Sequence, residues 1–271
     1  MFRLGIVQRA PGPVEKVVDM VAGARADLIV LPEYSLFDPT GMGPEEVWSN
    51  AAALDKFAEG LAKIAAETGA YVAGAFLERG PRPRVYNTTV LVEPGGGVVG
   101  LYRKTHLFDA YGYRESDVVE PGAELSQIYD VRGVKVGFAV CFELRFPEVF
   151  RELALGGAQL VAVPAAWYSG PLKEETLHVL ARARAVENGV YVAVAASYSQ
   201  RFTGRSLVVN PFGVVEAELG IGERFRVVEV DPSLVEEARR TVPVLNLRKP
   251  HLYKRTCGCD EHGNGRQMAT A

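Results

Sequence analysis

Three short segments carry side chains able to do covalent chemistry. Cys141 closes the apolar run 133–140 and is followed at once by Phe142-Glu143-Leu144-Arg145-Phe146-Pro147-Glu148. A thiol at the mouth of a buried strand, just ahead of a helix, sits where backbone amides and a helix N-terminus stabilise negative charge, a setting that suits a nucleophile. A free cysteine in that place can equally be core filler. Glu33 ends the run Asp27-Leu28-Ile29-Val30-Leu31-Pro32, which puts it at the carboxyl end of a core strand, the edge where open α/β sheets bind ligands. There a carboxylate can serve as a general base; out in water it is an ordinary loop glutamate. The third segment, 101–109, sets Lys104 and His106 among aromatic residues just after a strand. Lys104 is either a surface lysine with a buried stem or a fixed ammonium aimed at a developing oxyanion. His106 reads as a loop-ordering hydrogen-bonder, since a lone histidine does not make a metal site.

The elements that position these groups alternate between strand and helix. Residues 2–8 and 27–31 read as strands, with a helical stretch from Val14 to Ala24 between them. Leu54, Phe57, Leu61 and Ile64 recur three and four apart, an amphipathic helix that Gly69 ends. Strands follow at 71–77, 85–93 and 98–102, the last two joined through Gly95-Gly96-Gly97 as a hairpin. The second half repeats the alternation. A strand at 134–140 leads to a helix from Pro147 to Leu155, a strand at 158–163, a helix at 173–188 and a strand at 190–196. A hairpin through Asn210-Pro211-Phe212-Gly213 and a strand at 224–230 precede a short helix, with Asp231 as N-cap and Pro232 at its first position. The pattern predicts an α/β protein with mixed sheets covered by helices. No linker or 20–50-residue repeat breaks the chain, so one domain is expected over 1–255, followed by a tail at 256–271.

Taken together in that chain order, Glu33, Lys104 and Cys141 resemble the Glu–Lys–Cys triad of the nitrilase superfamily of carbon–nitrogen hydrolases, and the likeness runs from the first strand to Tyr253. The run from Cys141 to Glu148 is most similar to the amidase branch that contains the omega-amidases and deaminated-glutathione amidases. That branch usually has Asp two residues after the nucleophile, where this chain has Glu143; true nitrilases read Cys-Trp-Glu-Asn, which is absent. The resemblance implies a four-layer α-β-β-α sandwich, usually dimerised or assembled further, with the helix segment 182–188 near the interface. It also implies a thioester on Cys141, an oxyanion held by Lys104 and the backbone N–H of Phe142, and a second glutamate, Glu115, that orients Lys104 or the attacking water. No metal or cofactor is required. Arg145 matches an arginine that grips a substrate carboxylate in N-carbamoyl-amino-acid hydrolases, although an ion pair with Glu143 or Glu148 fits the sequence as well. Tyr34, Phe37, Trp167 and Tyr168 stand near the expected active edge as candidate pocket walls.

The expected reaction is hydrolysis of a small amide to acid and ammonia. N-carbamoyl or nitrile hydrolysis stands as the alternative, and a non-catalytic scaffold as the reading from another class. Composition narrows the partners. A net charge of −3 gives no reason to expect nucleic acid or an anionic membrane. The N-terminal run is too short and too alternating for a signal peptide, and no apolar run reaches a membrane span, so a cytoplasmic protein is expected. Three cysteines do not make a disulfide scaffold. Cys257, Cys259 and His262 lack a fourth ligand at a recognised zinc spacing.

Overall fold

The structure, a computed structural model, describes residues 1–253; the tail with Cys257, Cys259 and His262 lies outside the described residues. In β1 (Phe2–Gln8) and β2 (Leu28–Val30) alternate side chains point to opposite faces, and both faces are buried. Leu4, Ile6, Leu28 and Val30 enter one core, whereas Val7, Ile29 and Leu31 enter another. A strand buried on both sides needs a layer on each, and that requirement sets the architecture.

The first sheet continues with β3 (Tyr71–Arg79), β4 (Val85–Val92) and β5 (Val98–Arg103). A two-stranded hairpin, β6 (Asp109–Ala110) and β7 (Tyr113–Arg114), leads out of it. The second sheet contains β8 (Tyr129–Val131), β9 (Val134–Phe138), β10 (Leu160–Ala165), β11 (Tyr191–Ala196), β12 (Leu207–Val209) and β13 (Val215–Glu218); β14 (Arg224–Val230) returns to pair with β1. The orders are β14-β1-β2-β3-β4-β5 and β13-β12-β11-β10-β9-β8. In each sheet three central strands run parallel (β1, β2, β3 and β9, β10, β11) and antiparallel strands flank them.

Helices α1 (Glu15–Val21) and α3 (Leu54–Thr68) cover the outer face of the first sheet through Val17, Val21, Phe57, Leu61 and Ile64. Between them in the chain lies α2 (Pro44–Asn50). Burying each large side chain on α3 contributes about 1.5–3 kcal/mol. The helix stops at Gly69, whose φ of 65° lets its N–H reach back to the Ala65 carbonyl. On the far side α4 (Pro147–Leu155) and α5 (Lys173–Asn188) cover the second sheet through Val149, Phe150, Leu153, Leu177 and Ala181. The chain closes with α6 (Ser233–Thr241), α7 (Val244–Leu247) and α8 (Pro250–Tyr253). Helices, sheet, sheet and helices form the α-β-β-α sandwich.

Two local expectations change. The strand expected at 134–140 ends at Phe138, and a 3₁₀ turn, Cys141–Arg145, fills the gap before α4, which spans Pro147–Leu155 as expected. Asp231 does cap α6, accepting from the Ser233 N–H and hydroxyl, but Pro232 stands just ahead of the helix. On α5, Arg184 donates to the Leu144 carbonyl and Arg182 to that of Gly213.

Candidate active site

The segment after β2 turns sharply, because Tyr34 has a φ of 54°. Ser35 secures the turn by donating to the Pro32 carbonyl, and the Ser197 hydroxyl donates to the carbonyl of Glu33 itself. The Glu33 side chain is thereby held inside the protein, 1% exposed. One carboxylate oxygen accepts from Lys104 Nζ at 3.0 Å and from Asn87 Nδ2 at 2.8 Å. The other accepts from the Ala166 N–H at 2.8 Å. Both directions of its lone pairs are therefore fixed before any substrate arrives.

Lys104 follows β5, and its own N–H is tied to the Asn87 carbonyl. Its ammonium, 1% exposed, lies 2.8 Å from Glu115 Oε2 as well as 3.0 Å from Glu33. Burial alone would push this lysine down. Glu115, Glu33 and Cys141 together overcome that and hold it well above the ordinary lysine range. Glu115, fully buried, opens the short turn after β7 and also accepts from Asn87, Tyr34 Oη and the Phe108 N–H. One ammonium thus stands between two carboxylates, with Asn87 bridging them.

Cys141 approaches from the second sheet. Its φ of 46° places a non-glycine residue in the left-handed region, which costs about 1–3 kcal/mol and lifts the thiol out of the strand line. The thiol and Glu33 line one narrow chamber with Tyr34, Lys104, Phe142 and Ala166. Burial pushes the thiol well above the usual cysteine range. Glu33 adds to the rise and outweighs the lowering effect of Lys104. The resting group is a neutral thiol beside a positioned carboxylate. Among the described residues, the Phe142 N–H on the next peptide has no backbone acceptor. Glu143 is fully buried and stitches the two halves together. It accepts from Tyr102 Oη, Thr105 N and Oγ1, His106 N and Val140 N, tying the loop that carries Lys104 to the residue before Cys141.

The chamber wall contains Arg145, Trp167 and Tyr168 as well as Tyr34. Phe37 is not part of it; it packs with Tyr34, Val47 and Ala51 in a separate apolar cluster behind the turn. Neither Glu143 nor Glu148 pairs with Arg145, whose Nε is buried without a partner and whose Nη2 makes one long bond of 3.4 Å to Tyr111 Oη. His106 bonds Thr105 and packs at a tilt against the Phe146 ring, a loop-ordering role. Residues not foreseen are Asn87, Phe108, Ala166 and Lys173. Asn87 did leave a signal, because a buried amide inside Val85–Val92 is out of place in a strand.

The Carbon-nitrogen hydrolase family model matches residues 6–240. The chain belongs to the carbon–nitrogen hydrolase family. It is 35% identical over 256 residues to human deaminated glutathione amidase, covering 88% of this chain and 77% of the relative. A Mycobacterium tuberculosis protein named as a hydrolase is 38% identical over 250 residues, covering 86% and 87%. Among solved structures, a cysteine-to-alanine mutant of an amidase of the nitrilase superfamily from Nesterenkonia superposes with a TM-score of 0.79 at 27% identity, covering 94% of this chain and 96% of that one. A carbon–nitrogen hydrolase from Helicobacter pylori has the same fold, with a TM-score of 0.85 at 21% identity over 93% and 97% of the two chains. This protein is accordingly a hydrolytic enzyme acting on amides. Among the described residues no helix is long and apolar enough to cross a membrane.

Proposed function

We propose that the enzyme hydrolyses a small amide through a thioester on Cys141, with Glu33 as the base, Lys104 and the Phe142 N–H as the oxyanion site, and Glu115 as the residue that orients Lys104. The observation that carries this reading is the fixed carboxylate of Glu33, bound on both oxygens and facing a protonated thiol. Glu33 takes the thiol proton as sulfur bonds to the amide carbon. The oxyanion then lies against Lys104 and the Phe142 N–H. Collapse of the tetrahedral adduct breaks the carbon–nitrogen bond, and Glu33 returns the proton to the departing nitrogen, releasing ammonia. Water enters, gives a proton to Glu33 and attacks the thioester; the acid leaves and the sulfur regains its proton. Removing one oxyanion donor from such a site costs about 3–4 kcal/mol of transition-state stabilisation.

The unpaired Arg145 guanidinium in the chamber wall supports a substrate that bears a carboxylate, and the likeness to deaminated glutathione amidases agrees with this. Trp167 and Tyr168 would then flank the acyl arm. The enzyme is further proposed to be a cytoplasmic homodimer or higher homo-oligomer. Exposed Val179 and Val186 on α5, with Phe212 and Val214 on the neighbouring turn, supply an apolar face suited to a second copy. Ammonia release from a panel of amides, N-carbamoyl amino acids and nitriles, run beside Cys141→Ala, tests the reaction. Release from an amide that vanishes in the variant supports the reading, and equal release by both proteins overturns it.

A further inference from the structure

Besides Lys104, two cations line the same chamber as Cys141, Arg145 and Lys173, and among the described residues neither has a carboxylate partner. Arg145 makes one long bond to the Tyr111 hydroxyl and lies over the Trp167 ring, 5.4 Å from its centre, with Nε buried and unsatisfied. Lys173 is half-buried, and among the described residues its ammonium has neither hydrogen-bond nor ion-pair partner; it rests 3.4 Å from the centre of the Tyr111 ring. The carboxylates of the inner site cannot neutralise either one, because Glu33 and Glu115 are already bound to Lys104. Glu174, next to Lys173, is taken by Arg205 at 2.9 Å.

At the start of a helix whose first turn also carries Glu174 and Glu175 stands Lys173. It is the first residue of α5, a helix of sixteen residues, so its charge faces the positive end of the helix dipole. Tyr111, 71% exposed on the β6–β7 hairpin, then draws Arg145 to its hydroxyl and Lys173 to its ring face, bringing two like charges to one side chain. The helix start is itself pinned to the chamber wall, since Trp167 Nε1 donates to the Lys173 carbonyl at 2.8 Å. Lys173 lines both the inner chamber and an outer aromatic cleft formed with Phe108, Tyr111, Tyr113 and Tyr168, so it stands at the throat between them.

We propose that Lys173 and Arg145, gathered on Tyr111, form a two-cation seat for a carboxylate on the acyl arm of the amide, and that Lys173 is a specificity-determining residue. The inference rests on the amidase reading above and adds to it a second cation and the place of the charge. The seat lies at the throat, so the carboxylate belongs at the far end of the arm from the scissile carbonyl.

Glutaramate and pentanamide have the same five-carbon chain and differ in a terminal carboxylate against a methyl group. The test is the ratio of their kcat/KM values for wild type, Lys173→Met and Lys173→Arg. The expected result is a wild-type preference for glutaramate that falls about tenfold or more in Lys173→Met and largely returns in Lys173→Arg, the range expected for a hydrogen bond to a charged group. An unchanged ratio in Lys173→Met would overturn the seat. Glutarate binding to Cys141→Ala protein, measured by calorimetry, reads the same site without turnover. Addition of Lys173→Met should weaken it about tenfold, and unaltered binding contradicts the proposal. A wild type inert on every amide sinks the amidase reading alone, while the glutarate titration still decides the seat.

Discussion

The two sheets share a strand plan but hold different halves of the chemistry. Each has three parallel central strands flanked by antiparallel ones. The first sheet and the loops leaving it supply the charged groups: Glu33 after β2, Lys104 after β5, and Asn87 within β4. The second supplies sulfur and backbone dipoles: Cys141 after β9 and the Ala166 N–H after β10. Charge on the first side is held by pairing, and two carboxylates sharing one ammonium form a set that cannot lose a member cheaply. On the second side the groups are neutral at rest and depend on φ values and turn geometry. In the proposed mechanism one sheet tunes protons while the other aims the nucleophile, and the seam joins the two sheets through Glu33 to Ala166 N and Glu143 to Thr105.

Substitutions can separate the two roles. Lys104→Met should be the most damaging, lowering kcat by roughly 10³-fold or more and stability by about 3–5 kcal/mol, because Glu33 and Glu115 are left buried together. Stopped assays and denaturant melts check both; an active, stable variant would break the contrast between the sheets. On the other side, Arg184→Met removes the bond from α5 to the Leu144 carbonyl in the turn that aims Cys141. A stability loss of about 1.5–3 kcal/mol is expected, with kcat falling more than KM changes. The reverse split would mean that the turn does not aim the nucleophile.

A pH experiment sharpens the comparison at the sulfur. Because the folded thiol is raised above the usual cysteine range, the difference in thiolate absorbance between wild type and Cys141→Ala should be absent at neutral pH. It should emerge only above about pH 8.5, where free cysteine ionises. A raised folded value means that the thiol's contribution to stability is complete below the unfolded value and declines as pH rises towards the folded one. Wild type should therefore lose slightly more stability than Cys141→Ala in alkaline melts; a thiolate signal at pH 7 would refute this. Smallest of all, Phe37→Leu should cost about 1 kcal/mol of stability and leave kcat/KM near wild type, since Phe37 packs behind the turn. A large kinetic effect would place it in the wall after all.

Much of this was legible in the chain because periodicity and turn residues report local structure directly. The α3 stripe and its Gly69 stop, the β12–β13 hairpin and the apolar run before Glu33 all fall where their residues predict. The short α2 was missed although Gly43-Pro44-Glu45-Glu46 carries a Pro at the first turn and acidic residues beside it. β8 is three residues long and exists by pairing with β9, a nonlocal cause that no local pattern reports. The same limit applied at the site. Glu33, Lys104 and Cys141 were visible from type and order, and the structure brings them together. Lys173 was hidden because it lies 32 residues from Cys141 in the chain and reaches the chamber only through the packing of α5.

The account turns on Glu33 serving Cys141 twice, and Glu33→Gln with an activated ester, p-nitrophenyl butyrate, tests that directly. The phenolate leaves without a proton, and loss of the Glu33 charge leaves Lys104 to favour the thiolate, so acylation should proceed. Deacylation should stall for want of a base. The account predicts a burst of about one nitrophenolate per site, slow turnover afterwards, and a butyryl group on the Cys141 peptide by mass spectrometry. Steady turnover at the wild-type rate, or an acyl group on any other residue, would contradict it.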